Sequence, residues 1–310
     1  TFVQGESEVA SINMVYGAAA TGTRAMTSSA SCGISLKSEG VSFMASARLP
    51  AVYCNISRGG PGIGAIQPAQ QDYNQATKAS GNGGFRMIVF APSTVQEAAD
   101  LTYLAFDYAQ RDRNPVLILG DGVIGTMMEP VELPPERSAE EVLNLKRENL
   151  SWCLHNRRPG EPRVVIDPGR WIPTEMEKLN IAAAELYRSW EENDVQVEEY
   201  LVEDAEVILT GFGISGRIAK SAVDHMRRDG YKVGLIRPIT VSPFPYQSYE
   251  KLDFSRLRGI LDVEMAIPAL MVYDVKMAVK DRCPIETCLR SGGVIISREE
   301  VNAAAQKLFQ

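Results

Sequence analysis

The sequence is poor in the residues that build metal centres. It has two histidines, His155 and His225, and five cysteines, at positions 32, 54, 153, 283 and 288. The cysteines are scattered and odd in number, a set that reads as free thiols. The Cys283–Cys288 spacing fits neither a CxxC redox motif nor a zinc knuckle. An iron–sulfur cluster needs about four clustered thiolates, and this chain does not supply them. No metal site is therefore expected here, and free thiols point to a reducing cytoplasm. His225 falls in the helix expected around Ile218 to Arg228 and reads as solvated surface. Long apolar runs are also missing: Pro115 to Leu119 and Val207 to Leu209 are far too short to span a bilayer. No signal-peptide pattern is visible, and the first residue, Thr1, is not a methionine, so no localisation is read from the N-terminus. Excess positive charge is lacking as well. A net charge of −7 gives no reason to expect nucleic acid, and an anionic membrane would repel it.

What remains is ordinary soluble composition, with 45% apolar and 23% charged residues in 310. That length suits two globular units. A helix rich in small residues is expected from Gly5 to Gly22, a strand from Arg24 to Thr27 running into Ser28-Ser29, and a helix from Gly33 to Met44. Strands follow at Ala51 to Ile56, Met87 to Phe90 and Pro115 to Leu119. The helix between the last two, Thr94 to Ala109, is expected to take Ser93 as its N-cap. Between Glu129 and Glu203 the composition shifts to prolines and one polar helix, about Thr174 to Glu192, of the kind that bridges domains. The rhythm then resumes with strands at Glu206 to Thr210, Lys232 to Ile236 and Gly259 to Val263. Helices are expected at Arg217 to Arg228, Leu270 to Val279 and Arg298 to Leu308. Alternation of this kind predicts parallel sheets with helices on both faces.

Three glycine-rich strand ends compete as binding loops. Gly211-Phe212-Gly213-Ile214-Ser215-Gly216 is a formal GxGxxG, but the next strand ends at Arg237-Pro238 with no acid for a ribose. A structural strand-to-helix turn is the better reading, with an NAD(P) loop as the competitor. Gly120-Asp121-Gly122 imitates the start of a Mg2+–diphosphate motif, which needs an asparagine further on. Asn144 and Asn149 qualify by count, yet Pro130, Pro134 and Pro135 intervene, so Asp121 reads as a loop residue near a domain edge. The third loop, Arg58-Gly59-Gly60-Pro61-Gly62-Ile63-Gly64, places a guanidinium at a strand's carboxyl end beside glycines that bare the backbone. This suits a small carboxylate or phosphate, and equally a plain surface turn. Finally, Glu6 and Glu8 open a helix, where acids favour the helix dipole. Glu8 lies on a face of small residues that a planar group could approach.

Several runs together resemble the α subunit of 2-oxoacid:ferredoxin oxidoreductases: Gln4-Gly5-Glu6-Ser7-Glu8-Val9-Ala10, Thr27-Ser28-Ser29-Ala30-Ser31-Cys32-Gly33, Arg58-Gly59-Gly60-Pro61-Gly62, Ala91-Pro92-Ser93-Thr94-Val95-Gln96-Glu97 and Leu235-Ile236-Arg237-Pro238. The branch acting on 2-ketoisovalerate is the most similar, and the resemblance runs from first residue to last. It implies a thiamine-diphosphate pyrimidine-binding domain (1–165), a helical linker (166–202) and a transketolase C-terminal-like α/β domain (203–310). It also implies a cofactor shared between chains. The α subunit supplies the acid for the aminopyrimidine, which selects Glu8, with Ser28 and Ser29 beside the cofactor. Arg58 matches the arginine that holds the substrate carboxylate. The implied partners are a β subunit carrying Mg2+, the diphosphate site and a 4Fe-4S cluster, γ and δ ferredoxin-like subunits, and ferredoxin, with coenzyme A as cosubstrate.

Departures from the family pattern bear on substrate choice. An upstream Tyr-Pro-Ile-Thr-Pro-like segment, whose threonine helps bind substrate, is not in this sequence. Cys32 replaces a proline, Asn82 replaces a histidine in a loop expected to face the active site, and Ala269-Leu270 replaces Gly-Gln. Two further readings compete: the β chain of a 2-oxoacid dehydrogenase first component, and a non-catalytic structural subunit.

Overall fold

A computed structural model describes all 310 residues. In chain order the elements are α1 (Glu8–Ala20), β1 (Met26–Ser29), α2 (Cys32–Ala47), β2 (Ala51–Ser57), α3 (Tyr73–Thr77), β3 (Ile88–Phe90), α4 (Val95–Asp112), β4 (Pro115–Asp121), α5 (Gly122–Thr126), α6 (Ala139–Asn149) and α7 (Pro173–Asn193). There follow β5 (Val197–Tyr200), β6 (Val207–Thr210), α8 (Gly213–Arg228), β7 (Val233–Pro238), β8 (Thr240–Ser242), α9 (Tyr246–Glu250), β9 (Gly259–Glu264), α10 (Val272–Val279), β10 (Ile285–Leu289) and α11 (Arg298–Lys307). No helix is long and apolar enough to cross a membrane.

The strands form two sheets, ordered β1-β2-β4-β3-β8 and β10-β9-β6-β7-β5. Each is parallel except for one antiparallel edge, β8 against β3 and β5 against β7. Successive residues of a strand face opposite sides, so a doubly covered sheet needs apolar residues at every position. The first sheet shows this directly. Ala51, Tyr53, Val89, Leu117 and Leu119 join the core under α1 and α2, while Val52, Cys54, Ile88, Phe90, Val116 and Ile118 join the core under α4 and Trp190 of α7. The α1–α2 core continues without a break to Ile208, Ile236 and Ile260 of the second sheet and to α10. β8 comes from the second half of the chain yet lies in the first sheet, so the halves interlock rather than merely touch.

Helix ends follow local chemistry. The α4 cap is Thr94, whose Oγ1 accepts the Glu97 N–H, one residue later than expected from the sequence. Ser93 instead donates its N–H and hydroxyl to the Glu97 carboxylate. Glu97 also takes a two-pronged contact from Arg237, at 2.6 and 3.1 Å. The Arg237 Nε goes to Glu198, which also binds Lys220.

This disposes of the GxGxxG loop as a nucleotide site. A Cβ at Gly216 would fall 2.7 Å from Arg237 Cδ, so that glycine makes room for the buried arginine. Gly213, at φ +52°, faces Gln70 and Asp121 of the first half. Asp121 is no edge-loop residue. It is 1% exposed, its Oδ1 caps α5, and its Oδ2 accepts the Ile214 N–H across the seam. Asn149 lies elsewhere and donates to the Gly22 carbonyl beyond the far end of α1.

Replacing Arg237 with methionine leaves two part-buried carboxylates without their shared cation. A loss of about 3 kcal/mol in thermal or denaturant unfolding is expected. Burial pushes the Glu198 carboxyl up, but bonds from Lys220 and Arg237 more than reverse this and hold it below the ordinary range. The stability from that lowered value is present above the ordinary glutamate range and disappears as pH falls through the folded value. The variant should therefore lose stability less steeply on acidification than the parent.

Candidate active site

Glu8 opens α1. Ser7 before it caps the helix by accepting the Ala10 N–H, and Glu8 itself is half-buried. The only side-chain hydrogen bond to its carboxylate is a long one, 3.5 Å, from the Ser29 hydroxyl. Its oxygens are otherwise open to a donor from outside. Ser29 ends β1, where its neighbour on β2 is Asn55, while Ser28 is exposed. Opposite stands Gly33 in the first turn of α2. A Cβ there would lie 2.1 Å from Ser29 Oγ and 2.8 Å from Glu8 Oε1, so only glycine lets the carboxylate approach.

Arg58 arrives at the same helix end from β2. Its Nη2 donates to Cys32 Sγ at 2.9 Å, and its Nε is buried without a partner. Glu8 and Arg58 thus bear on adjacent residues, Gly33 and Cys32. The turn between β1 and α2 is held in an unusual shape: Ser31 has φ +35°, in the region that costs an ordinary residue strain. Three bonds fix it. Its N–H donates to Asn55 Oδ1, its hydroxyl donates to Asp72 at 2.6 Å, and the Arg58 N–H donates to its Oγ. Asn55 reaches the same Asp72 oxygen. With its side chain so engaged, Ser31 does not cap α2. The positive end of a sixteen-residue helix and a guanidinium are left side by side, an arrangement suited to a small anion.

The glycine-rich loop after Arg58 closes on itself. Arg58 bridges to Pro68, Gly59 N–H donates to the Gln67 carbonyl, and Gly64 at φ +56° has no room for a Cβ against Gly59 O. The second domain buttresses it, since Gly59 packs on Gly292 and Gly293 on Gln67. Ile63 and Ile66, each 82% exposed, project from this loop. Ser29 and Arg58 both stand at carboxyl ends of neighbouring parallel strands, where open α/β sheets place ligands.

Asn82 is further away. The Ser42 hydroxyl donates to its carbonyl, ten residues and about 15 Å along α2 from Cys32. Its loop packs on the distal part of the helix rather than on the Glu8–Arg58 end. Leu270 turns its N–H to Glu264. Sequence reasoning passed over Ser31, Asn55, Asp72 and Lys37. Lys37 is 1% exposed and donates to Thr27 Oγ1 at 2.7 Å and to the Ser28 carbonyl at 3.0 Å. Its position one turn after Gly33 was the available signal.

Comparison with known proteins adds the chemistry. Residues 1–187 match the family described as pyruvate flavodoxin/ferredoxin oxidoreductase, thiamine diphosphate-binding, and residues 205–301 match pyruvate:ferredoxin oxidoreductase core domain II. The chain is 48% identical to ketoisovalerate oxidoreductase subunit VorB of Methanothermobacter marburgensis, over 97% of this chain and 82% of the relative. It is 31% identical to 2-oxoglutarate synthase subunit KorA of Archaeoglobus fulgidus, over 94% of this chain and 80% of the relative. In fold it is similar to 2-oxoglutarate:ferredoxin oxidoreductase from Magnetococcus marinus, with a TM-score of 0.80 at 19% identity, covering all of this chain and 57% of that one. A split-gene transketolase matches at a TM-score of 0.54 and 12% identity, over 99% of this chain and 83% of that one.

Gly33→Ala is expected to push the Ser29 hydroxyl and the Glu8 carboxylate off α2 at a cost of about 1–3 kcal/mol. Thermal denaturation and a crystal structure of the variant check both parts.

Proposed function

The chain belongs to the thiamine-diphosphate-dependent 2-oxoacid:ferredoxin oxidoreductase family, and from that premise we propose that Glu8, Ser28, Ser29 and Arg58 are its half of an active site completed by a second chain. The observation that carries this is the convergence of Glu8 and Arg58 on Gly33 and Cys32 at one helix end. Thiamine diphosphate, when bound, supplies the carbon nucleophile and the electron sink needed to remove CO2 from a 2-oxoacid. The residues fit it in part. A half-buried carboxylate with open oxygens suits the aminopyrimidine ring nitrogen, with Ser28 and Ser29 alongside. A guanidinium over an uncapped helix end suits the substrate carboxylate. Asp121, buried and engaged with α5 and Ile214, is not presented to Mg2+ and diphosphate. Those, with the 4Fe-4S cluster, are assigned to a β subunit, and γ and δ ferredoxin-like subunits, ferredoxin and coenzyme A complete the set.

The relatives are named as subunits, which supports a heteromer. So do the apolar side chains left exposed around the half-site, Val9, Met14, Leu36, Ile63 and Ile66. A 2-ketoisovalerate-like branched acid is the proposed substrate, because relatives named for it share 46–48% identity against 27–31% for relatives named for 2-oxoglutarate. The division into 1–165, linker 166–202 and 203–310 belongs to the same proposal. The second matched range, which starts at 205, supports the later boundary; the first runs to 187, and β8 returns to the first sheet. Both matched families are ferredoxin oxidoreductases, which removes the motive for the dehydrogenase β-chain reading.

Activity is tested by 2-oxoacid-dependent viologen reduction with coenzyme A, using the native complex purified without oxygen. The highest rate is expected on branched acids. Glu8→Gln should lose turnover by at least about a hundredfold while the heteromer still assembles on gel filtration. An active Glu8→Gln enzyme would make the chain a structural subunit. Arg58→Ala should raise the Michaelis constant for the 2-oxoacid more than it lowers the turnover number. Steady-state kinetics with unchanged constants would remove Arg58 from the site.

A further inference from the structure

We propose that Asp72 is a positioning residue for the 2-oxoacid: through the Ser31 hydroxyl it fixes the backbone of Arg58, and with it the guanidinium that takes the substrate carboxylate. This deepens the reading of Arg58 given above and rests on it.

The Arg58 side chain is held lightly for a group with a geometric task. Its only side-chain hydrogen bond runs from Nη2 to Cys32 Sγ, a weak acceptor, and its Nε has no partner. Its aim therefore depends on where its backbone is pinned. The Arg58 N–H donates to Ser31 Oγ at 3.0 Å, and that oxygen is itself fixed from the other side. A hydroxyl rotates to suit its neighbours and has one proton to give. At Ser31 that proton goes to Asp72 Oδ2 at 2.6 Å, which leaves the oxygen lone pairs for the Arg58 N–H. The same Asp72 oxygen accepts from Asn55 Nδ2 at 2.9 Å, and Asn55 Oδ1 accepts the Ser31 N–H at 2.9 Å. Ser31, Asn55 and Asp72 thus close a ring of three bonds, with Ser31 and Asn55 both buried.

Asp72 forgoes its ordinary use to do this. It stands at the N-cap of α3, where an aspartate usually accepts a helix N–H, yet its side chain makes no capping bond. Its neighbours in sequence show what the segment is for. Gln71 Oε1 accepts the Gly60 N–H at 3.1 Å, so two consecutive residues grip the Arg58 loop, one through Ser31 at Arg58 itself and one two residues further on. The residues on either side of that pair fasten to the second half of the chain. Gln70 Nε2 donates to the Phe212 carbonyl at 2.7 Å, and the Tyr73 hydroxyl donates to Asp274 at 2.6 Å. Four successive residues therefore form one strip, its outer pair anchored in the seam and its inner pair holding the guanidinium's backbone. Cutting the Asp72 contact frees Arg58 while the outer anchors stay made.

The test is steady-state viologen reduction by the assembled complex. Asp72→Ala should raise the Michaelis constant for the 2-oxoacid about tenfold and change the turnover number by less than about threefold. Asp72→Asn keeps an oxygen for Ser31 and Asn55, and should bring the constant back to within about threefold of the parent. The decisive comparison combines Asp72→Ala with Arg58→Ala. A residue that acts only through Arg58 adds nothing once the guanidinium is gone, so the double variant should match Arg58→Ala alone. Effects that multiply would make Asp72 a general structural support and overturn the proposal. A parental Michaelis constant in Asp72→Ala, or no recovery in Asp72→Asn, would overturn it too. If Asp72→Ala does not assemble, Ser31→Ala takes its place in the same cycle, because it removes the hydroxyl that joins Asp72 to Arg58, and the same outcomes decide. Arg58→Ala alone is the control. If its Michaelis constant is unchanged, the reading of Arg58 fails and this one with it; if it is raised and the effects multiply, only the role of Asp72 falls.

Discussion

The structure turns on one glutamine. Gln70 is buried where the two halves meet. Its Nε2 donates to the Phe212 carbonyl, its Oε1 accepts from Ser215 Oγ and the Met265 N–H, and its own N–H donates to the Met265 carbonyl. An amide has a carbonyl and an NH2 to satisfy, and burial makes each unmade bond costly. Here one side chain from the first half fixes the start of α8 and the end of β9 together. Asp121 and the Tyr73–Asp274 bond, at 2.6 Å, fasten the same seam on either side. Glycines at 211, 213 and 216 are consequences of this joint: they clear space for polar groups from elsewhere in the fold, not for a nucleotide.

The candidate site depends on that seam. Arg58 lies on a loop whose return strand carries Pro68, two residues before Gln70, and whose glycines are pressed by Gly292 and Gly293 of the second domain. Fixing the domains against each other therefore fixes the guanidinium. The Glu8 side is set by other means, through the absent side chain of Gly33 and the strained Ser31 turn. Strain of that kind persists only where neighbours over-determine it, and Asn55 and Asp72 do so here.

Much of this was legible in the sequence. Aliphatic runs such as Val207-Ile208-Leu209 and Val116-Leu117-Ile118 are buried on both sides and read plainly as parallel strands. β5 and β8 did not: Glu198-Glu199 looks solvated, and Thr240–Ser242 is three residues that only a neighbouring edge turns into a strand. Asp121 misled because its loop-like Gly-Asp-Gly setting hides a capping carboxylate that a distant N–H completes. Glu8 and Arg58 stood out through the family pattern. Lys37 did not, because a lysine on a helix ordinarily faces water, and only the packing of α2 beside β1 buries it against Thr27 and Ser28. The polar stretch before α7 conceals α6, whose Ser138–Glu141 capping box needs no apolar periodicity to form.

The edge strand β8 also sets a timetable for the growing chain. Phe90 finds its antiparallel neighbour, Thr240, only 150 residues later. At ordinary rates of translation this is on the order of ten seconds after β3 leaves the ribosome. For that interval the first sheet carries an open, wholly apolar border, Ile88-Val89-Phe90, of the sort that pairs with any passing strand. Synthesis of this chain thus has a vulnerable window whose length is written into its connectivity.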